Sequence, residues 1–146
     1  MKRAALLQTL YGRVVLPHAV RDEMLAAGAP EELREWAAQL PEWADVVSAS
    51  RIDASLSDKL GDGEREAISL ALEMSADVLL MDDQPGRIAA EERGLFVSGT
   101  LSVLLQASRR GLLNFETALE QLKELGFRMS DSVEARMRRL SKSSQT

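Results

Sequence analysis

Short apolar runs alternate with segments of helical periodicity along most of this 146-residue chain. Residues 78–81 (Val-Leu-Leu-Met) form a continuous apolar run, which is typical of a strand buried on both faces of a parallel sheet. Before this run, Ala67, Ile68 and Ala71 repeat at the spacing of one helix face. Because parallel strands need a crossover that a helix usually supplies, the alternation predicts an α/β fold with a mostly parallel sheet covered by helices on both faces.

Glycine and proline mark the ends of the predicted elements. Gly12 suits the left-handed position after a helix, and Pro17 suits the first turn of one. The predicted order is helix 2–11, strand 13–16, helix 17–27, helix 30–39, strand 45–49, loop 50–62, helix 63–75, strand 78–81, helix 85–93, strand 95–97, helix 98–111, helix 115–125 and helix 130–141. At this length we expect one domain over residues 1–141, with a flexible polar tail at 142–146.

Composition excludes several classes of chemistry. The chain has no cysteine, which excludes a disulfide, a thiolate nucleophile and a Cys-ligated metal, and its one histidine leaves little room for a histidine base. Its net charge of −5 argues against a uniformly basic nucleic-acid surface. No apolar run approaches the roughly 20 residues of a membrane span, so we expect a cytoplasmic protein with no membrane segment. We therefore expect any catalysis to depend on carboxylates.

Acidic residues stand where an α/β sheet binds its ligands, beyond the carboxyl ends of the strands. Asp82 and Asp83 follow the run at 78–81, and only one of them is needed to cap the next helix. Glu64 opens a helix, where the dipole favours negative charge, yet it lies along the apolar stripe. Glu23 also borders an apolar stripe, beside Met24. If these acids converge, a divalent cation such as Mg²⁺ would offset their mutual repulsion and activate water beside a phosphodiester.

Three sequence blocks resemble the PIN-domain (PilT N-terminus-like) proteins, closest to the VapC-like subgroup. They are LQTLYGRVVLPHAVRDEM at 7–24, GDGEREAISLALEMSADVLLMDD at 61–83 and GLFVSGTLSVLLQASRRGLL at 94–113. The resemblance implies a three-layer α/β/α fold and a metal-dependent endoribonuclease, commonly the toxin of a toxin–antitoxin pair. It implies Mg²⁺ or Mn²⁺ as cofactor, and RNA, a cognate antitoxin and a second copy of the chain as partners.

The same resemblance assigns roles to individual residues. Glu23, Glu64 and Asp83 match the family's catalytic and metal-binding acids, and Asp82 shares or replaces the role of Asp83. Thr100 matches a polar position near the site, although it also suits the N-cap of its helix. For Arg87, one turn after the two aspartates, we predict contact with a substrate phosphate, the alternative being an ordinary surface arginine.

The chain departs from the family pattern at its start. Family members begin with a central strand that ends in an Asp-Thr-Ser or Asp-Ser-Ser motif, whose aspartate is a principal metal ligand, and this sequence contains no such motif. We therefore predict that the central first strand is missing and that cleavage is weak or absent. A late start site, a truncation, a strand from a neighbouring subunit and loss of catalysis are the explanations left open.

Two other functions compete with the nuclease. One is a degenerate PIN-like binding module that pairs with an antitoxin or with itself through the last two helices, although ordinary core packing also explains their apolar residues (Leu119, Leu122, Leu125, Val133, Met137 and Leu140). The other is a phospho-acceptor receiver domain, which ranks low because no lysine follows the last strand. RNA contact is predicted from basic residues in the C-terminal third: Arg109, Arg110, Arg128, Arg136, Arg138, Arg139 and Lys142.

Overall fold

The computed structural model describes residues 5–124 and 129–143. In these residues helices and short strands alternate as predicted, which confirms the α/β class. The elements are α1 (Ala5–Tyr11), β1 (Val14–Pro17), α2 (His18–Leu25), α3 (Glu31–Ala38), β2 (Ala44–Val47), α4 (Asp62–Met74), β3 (Leu79–Leu80), α5 (Gln84–Glu92), β4 (Val97–Ser98), α6 (Thr100–Arg109), α7 (Phe115–Glu124) and α8 (Asp131–Ser143). The last three residues of the predicted tail, 144–146, lie outside the described residues.

The chain divides into two compact units, residues 1–98 and 99–146. In the first unit β1 pairs in parallel with β2, with Val14 opposite Ala44. Strand β3 pairs in parallel with β4, with Leu79 opposite Val97. Among the described residues these are two separate two-stranded sheets, so the predicted parallel pairing is confirmed while each sheet keeps an open edge.

The run at 78–81 is less buried than its apolar sequence predicts. Only Leu79–Leu80 forms strand, and Leu80 is 36% exposed whereas Met81 is buried. The expectation of a strand buried on both faces is therefore wrong for Leu80. Within the described chain β3 has a neighbouring strand, β4, on one side only, so its other edge is unpaired.

Helix α4 carries the core of the first unit. Ile68 is fully buried, and the predicted stripe of Ala67, Ile68 and Ala71 faces inward. Around Ile68 gather Leu56, Leu60, Ala67, Met81 and Ala90. Helix α4 packs against α2, α5, β1 and β3, so it connects most elements of the first unit.

Helix boundaries differ from the predictions by a few residues. Gly12 has a φ of +77°, as expected after a helix. Pro17, expected in a first helical turn, is instead the last residue of β1 and the N-cap of α2, with a ψ of 142°. Helix α2 ends at Leu25, before the predicted Gly28, because Ala26 has an extended backbone.

The second unit is built from α6, α7 and α8. Its core contains Leu104, Leu105, Phe115, Ala118 and Leu119, with Leu101, Leu113, Leu122, Met129, Met137 and Leu140 packed against them. Core packing therefore explains most of the apolar residues of the last two helices; Val133 is 38% exposed, and Leu125 lies outside the described residues. In the described part of both units, no helix is long and apolar enough to span a membrane.

Candidate functional site

Glu23 lies against the start of α4. Its Oε1 accepts a hydrogen bond from the backbone N–H of Gly63 at 3.1 Å, across 40 residues of sequence. A Cβ on Gly63 would stand 2.7 and 2.8 Å from the two carboxylate oxygens of Glu23. Only glycine leaves room for this approach, and the partial positive charge at the helix start favours the carboxylate there. Glu23 is otherwise exposed, so it borders the core without entering it.

The side chain of Glu64 runs from the start of α4 towards the start of α5. It is half-buried, and its Oε2 occupies the space that a Cβ on Gly61 would need. Its Cγ lies 3.4 Å from the position of a Cβ on Gly86, in the first turn of α5. Two glycines therefore accommodate this one acid, and they belong to the starts of different helices.

Asp83 is the N-cap of α5. Its Oδ2 accepts a hydrogen bond from the backbone N–H of Gly86 at 3.1 Å, so the predicted capping role applies to this residue rather than to Asp82. The same oxygen lies 3.5 Å from the position of a Cβ on Gly86. Glu64 Cγ and Asp83 Oδ2 thus both lie near Gly86, and the exposed Asp82 precedes Asp83 in the chain.

The structure therefore gathers three of the four predicted acids at the adjoining first turns of α4 and α5. Glu23 contacts Gly63, and both Glu64 and Asp83 have an atom close to Gly86. Within the described residues no group of three or more His, Cys, Asp or Glu side chains is arranged to hold a metal ion. One or two carboxylates completed by waters commonly hold Mg²⁺, and Glu64 and Asp83 are the two acids that lie beside Gly86.

Glu66, to which the sequence assigns no role, joins three parts of the first unit. Its Oε1 accepts a hydrogen bond from Ala19 N at 2.7 Å, and its Oε2 accepts one from Ala49 N at 3.3 Å. It thereby ties the first turn of α2 and the chain after β2 to α4. Because both partners are backbone amides distant in sequence, no pattern of residue types pointed to this role.

Arginines near the acids occupy two different environments. Arg65 pairs with Asp62 at 2.6 Å and lies 3.8 Å from Asp58, so its charge is already engaged beside Glu64. Arg87 is half-buried one turn into α5, and its backbone N–H donates to Asp83 O at 2.9 Å. Its guanidinium makes no ion pair with another described residue, which leaves it the cation better suited to an incoming anion.

Thr100 belongs to the second unit. It is the first residue of α6, and the N-cap is Gly99, so the alternative interpretation of Thr100 as a cap is wrong. The backbone of Gly99 is extended, with a ψ of 179°, which is the conformation usual for an N-cap.

Short parallel strands that alternate with helices define an α/β protein, in which Glu23, Glu64 and Asp83 lie near the starts of α4 and α5. A family model described as a PIN domain matches residues 1–143, so the chain belongs to the PIN-domain family and has a nuclease-type fold. Comparison with curated proteins and with solved structures gives no match.

Proposed function

We propose that the protein is a PIN-type, metal-dependent endoribonuclease of the VapC-like kind, acting as the toxin of a toxin–antitoxin pair. The observation that carries the proposal is that Glu64 Cγ and Asp83 Oδ2 both lie close to Gly86, while Glu23 accepts a hydrogen bond from Gly63, the residue before Glu64. Membership of the PIN-domain family supports it, because this fold is a nuclease-type fold.

Each acid then has a distinct part in the site. Glu64 and Asp83 would hold Mg²⁺ or Mn²⁺, which when bound supplies charge neutralisation and an activated water. Asp83 can do so with Oδ1, because Oδ2 caps α5. Glu23 orients the first turn of α4, and so the carboxylate of Glu64, through its bond to Gly63. Asp82, exposed and next to Asp83 in the chain, adds negative charge, and we assign it a share in holding the cation.

Substrate contacts follow from the cations that remain available. We assign Arg87 to a phosphate of the RNA, because its guanidinium has no acidic partner among the described residues and follows Asp83 by one helical turn. Thr100 is proposed as a further polar contact because of the family resemblance alone.

The basic patch predicted in the C-terminal third is smaller than the sequence suggests. Arg138 pairs with Glu116 at 3.2 Å, with Glu120 at 3.2 Å and with Glu134 at 2.9 Å. This arginine is therefore engaged in the packing of α7 and α8, and we do not assign it to RNA. Arg109, Arg136 and Arg139 are exposed, whereas Arg128 lies outside the described residues. A cognate antitoxin, a homodimer, a cytoplasmic location and a single domain spanning both units are parts of the same proposal.

Manganese binding and RNA cleavage together test the function. The wild-type chain is titrated with Mn²⁺ in a calorimeter and incubated with labelled single-stranded RNA, alongside Glu64→Gln, Asp83→Asn and the control Glu91→Gln. Asparagine is also a good N-cap, so Asp83→Asn removes charge while keeping the helix start. Glu91 is an exposed acid on the same helix α5.

We expect both site variants to bind Mn²⁺ at least tenfold more weakly than wild type and to lose whatever cleavage the wild type shows. Glu91→Gln should behave as wild type. Strong cleavage that survives the Glu64→Gln/Asp83→Asn double variant would contradict the assignment of these acids.

A catalytically degenerate PIN-like binding module is the second candidate. The observation that favours it is that no three-acid metal group is formed in the residues described. Such a module would pair with an antitoxin or with itself and need not hold a cation. Absence of Mn²⁺ binding by the folded wild-type chain would select this function.

A further inference from the structure

Helices α2 and α4 each begin without a side-chain cap of their own. Their N-cap residues are Pro17 and Gly61, and neither caps its helix with a side-chain hydrogen bond. The first N–H groups of a helix have no partner inside that helix, so they need acceptors from elsewhere. Helix α2 has only eight residues, a length at which a helix depends on contacts with the rest of the protein. The positions of both helix starts therefore depend on groups outside each helix.

An acceptor for each helix start comes from the opposite helix. Glu66 of α4 accepts a hydrogen bond at 2.7 Å from Ala19 N, in the first turn of α2. Glu23 of α2 accepts a hydrogen bond at 3.1 Å from Gly63 N, in the first turn of α4. Negative charge suits both positions, because the amino end of a helix carries a partial positive charge. Each helix thus supplies a carboxylate to the start of the other.

These two hydrogen bonds lie about one helical turn apart on an antiparallel contact. From Ala19 to Glu23 the chain advances about 6 Å along α2, and from Glu66 to Gly63 it goes back about 4.5 Å along α4, from the helical rise per residue. Residues at these spacings share one face of their helix, and α2 packs against α4. Two attachment points on so short a helix restrict both its tilt and its sliding along α4.

The second of these hydrogen bonds connects α2 to the acidic site. Gly63 is buried and directly precedes Glu64, so the hydrogen bond to Glu23 holds the backbone from which the side chain of Glu64 departs. A binding site requires its side chains to be held within about 0.5 Å of the productive geometry. A shift of α2 would move Glu23, release Gly63 and displace Glu64. The hydrogen bond between Glu66 and Ala19 opposes such a shift at the other end of α2.

We propose that Glu66 is a positioning residue of the acidic site. It holds the start of α2, so that Glu23 on the same helix holds Gly63 and with it Glu64. Both carboxylate oxygens of Glu66 accept backbone N–H groups, and we assign it no direct contact with a cation. The inference rests on the proposed function only where it takes a divalent cation as the ligand of the site, because the link between the two helices can be measured without one.

Hydrogen exchange of the metal-free chain tests the link with a matched pair of variants, Glu66→Ala and Glu73→Ala. Glu73 lies on the same helix, and its Oε1 accepts hydrogen bonds from Ser50 N at 2.7 Å and Arg51 N at 3.3 Å. Each variant therefore removes the acceptor of two backbone N–H groups, but of these two glutamates Glu66 is the one bonded to α2. We expect the amide of Gly63 to exchange at least fivefold faster in Glu66→Ala and less than twofold faster in Glu73→Ala.

Two further comparisons separate positioning from a general loss of stability. Glu66→Gln keeps one carbonyl oxygen for Ala19 N, so exchange at Gly63 should stay within twofold of wild type. In the background Glu23→Ala, Glu66→Ala should no longer accelerate exchange at Gly63, because the acceptor of that amide is already gone. A glutamate with a merely structural role would accelerate exchange by the same factor in both backgrounds.

Calorimetric titration with Mn²⁺ then measures the consequence for the site. We expect Glu66→Ala to bind Mn²⁺ at least fivefold more weakly than wild type, and Glu73→Ala to change the affinity less than twofold. The double variant Glu23→Ala/Glu66→Ala should bind within twofold of Glu23→Ala, since Glu66 acts through Glu23. If the wild-type chain binds no Mn²⁺, the proposed function fails, and exchange at Gly63 still decides whether Glu66 positions Glu64.

Each of three results would overturn the proposal: unchanged exchange at Gly63 in Glu66→Ala, equal acceleration with and without Glu23, and equal Mn²⁺ affinities of the Glu66→Ala and Glu73→Ala variants. If Glu66→Ala does not fold, the wild-type chain is followed by hydrogen exchange at low urea concentrations. The amides of Ala19 and Gly63 should then share one dependence on urea, because the two hydrogen bonds hold the same pair of helices. Different dependences would overturn the proposal.

Discussion

The contact between Glu23 and Gly63 gives a stability prediction that depends on one missing methyl group. In Gly63→Ala the new Cβ would stand 2.7–2.8 Å from both carboxylate oxygens of Glu23, so the carboxylate must move and the 3.1 Å hydrogen bond is lost. Loss of a hydrogen bond to a charged group lowers the free energy of unfolding by about 1.5–3 kcal/mol. Replacing a helical glycine with alanine raises it by about 1 kcal/mol, because alanine favours the helix. Because Glu23 is solvent-exposed, its hydrogen bond should contribute near the lower end of that range. We therefore expect Gly63→Ala to lower the free energy of unfolding by about 0.5–1 kcal/mol.

Urea denaturation of the full chain measures this change. The control is Gly28→Ala, because a Cβ on Gly28 would meet no atom within 4 Å and the residue has no positive φ, so alanine there should be neutral or mildly stabilising. In the background Glu23→Ala, Gly63→Ala should no longer destabilise, since its clash partner is gone. Two results would contradict this role of the contact between α2 and α4. One is a Gly63→Ala variant as stable as Gly28→Ala, and the other is an equal loss of unfolding free energy from Gly63→Ala with and without Glu23.

Three further variants probe neighbouring contacts. Glu66→Ala leaves two backbone N–H groups without their acceptor, so it should destabilise the chain by about 1–3 kcal/mol in urea denaturation. A loss below about 0.5 kcal/mol is typical of an ordinary surface substitution and would refute the linking role of Glu66. Hydrogen bonds from Ser55 lower the pKa of Asp53, so its stabilising contribution is present above the ordinary carboxyl pKa and is lost as pH falls through the lowered value. Asp53→Asn should flatten that acid-side loss in urea midpoints measured at decreasing pH, and an unchanged pH profile would contradict it. Gly86→Ala would place a Cβ 2.5 Å from Met81 Sδ and beside both acids of the site, so Mn²⁺ binding should weaken at least tenfold; wild-type affinity would show that the cation lies elsewhere.

The sequence predicted those features of the site that depend on residues close together in the chain. An aspartate directly before Gln84-Pro85 predicts an N-cap, and Asp83 has that role. The sequence predicts Glu64 in a first helical turn and along an apolar stripe, and the residue lies in the first turn of α4, half-buried. Both signals depend on residues only a few positions apart, which is why one sequence was enough to find them.

Contacts between distant segments were not predictable in the same way. The acceptor role of Glu66 depends on amides 47 and 17 residues away. The exposure of Leu80 depends on which strand lies beside β3, and an apolar run carries no information about its neighbour. The engagement of Arg138 with three glutamates depends on how α7 and α8 pack, so its sequence position alone suggested a free cation.

The central claim, that Glu64 and Asp83 hold a divalent cation at the start of α5, is tested most directly by paramagnetic broadening. Mn²⁺ is added in small amounts to ¹⁵N-labelled wild-type chain and to the folded Glu64→Gln/Asp83→Asn double variant, and amide signals are compared. We predict that the amides of Gly63 and Gly86 broaden first in the wild type and stay sharp in the double variant. Equal broadening in both proteins, or broadening centred away from these two glycines, would contradict the claim.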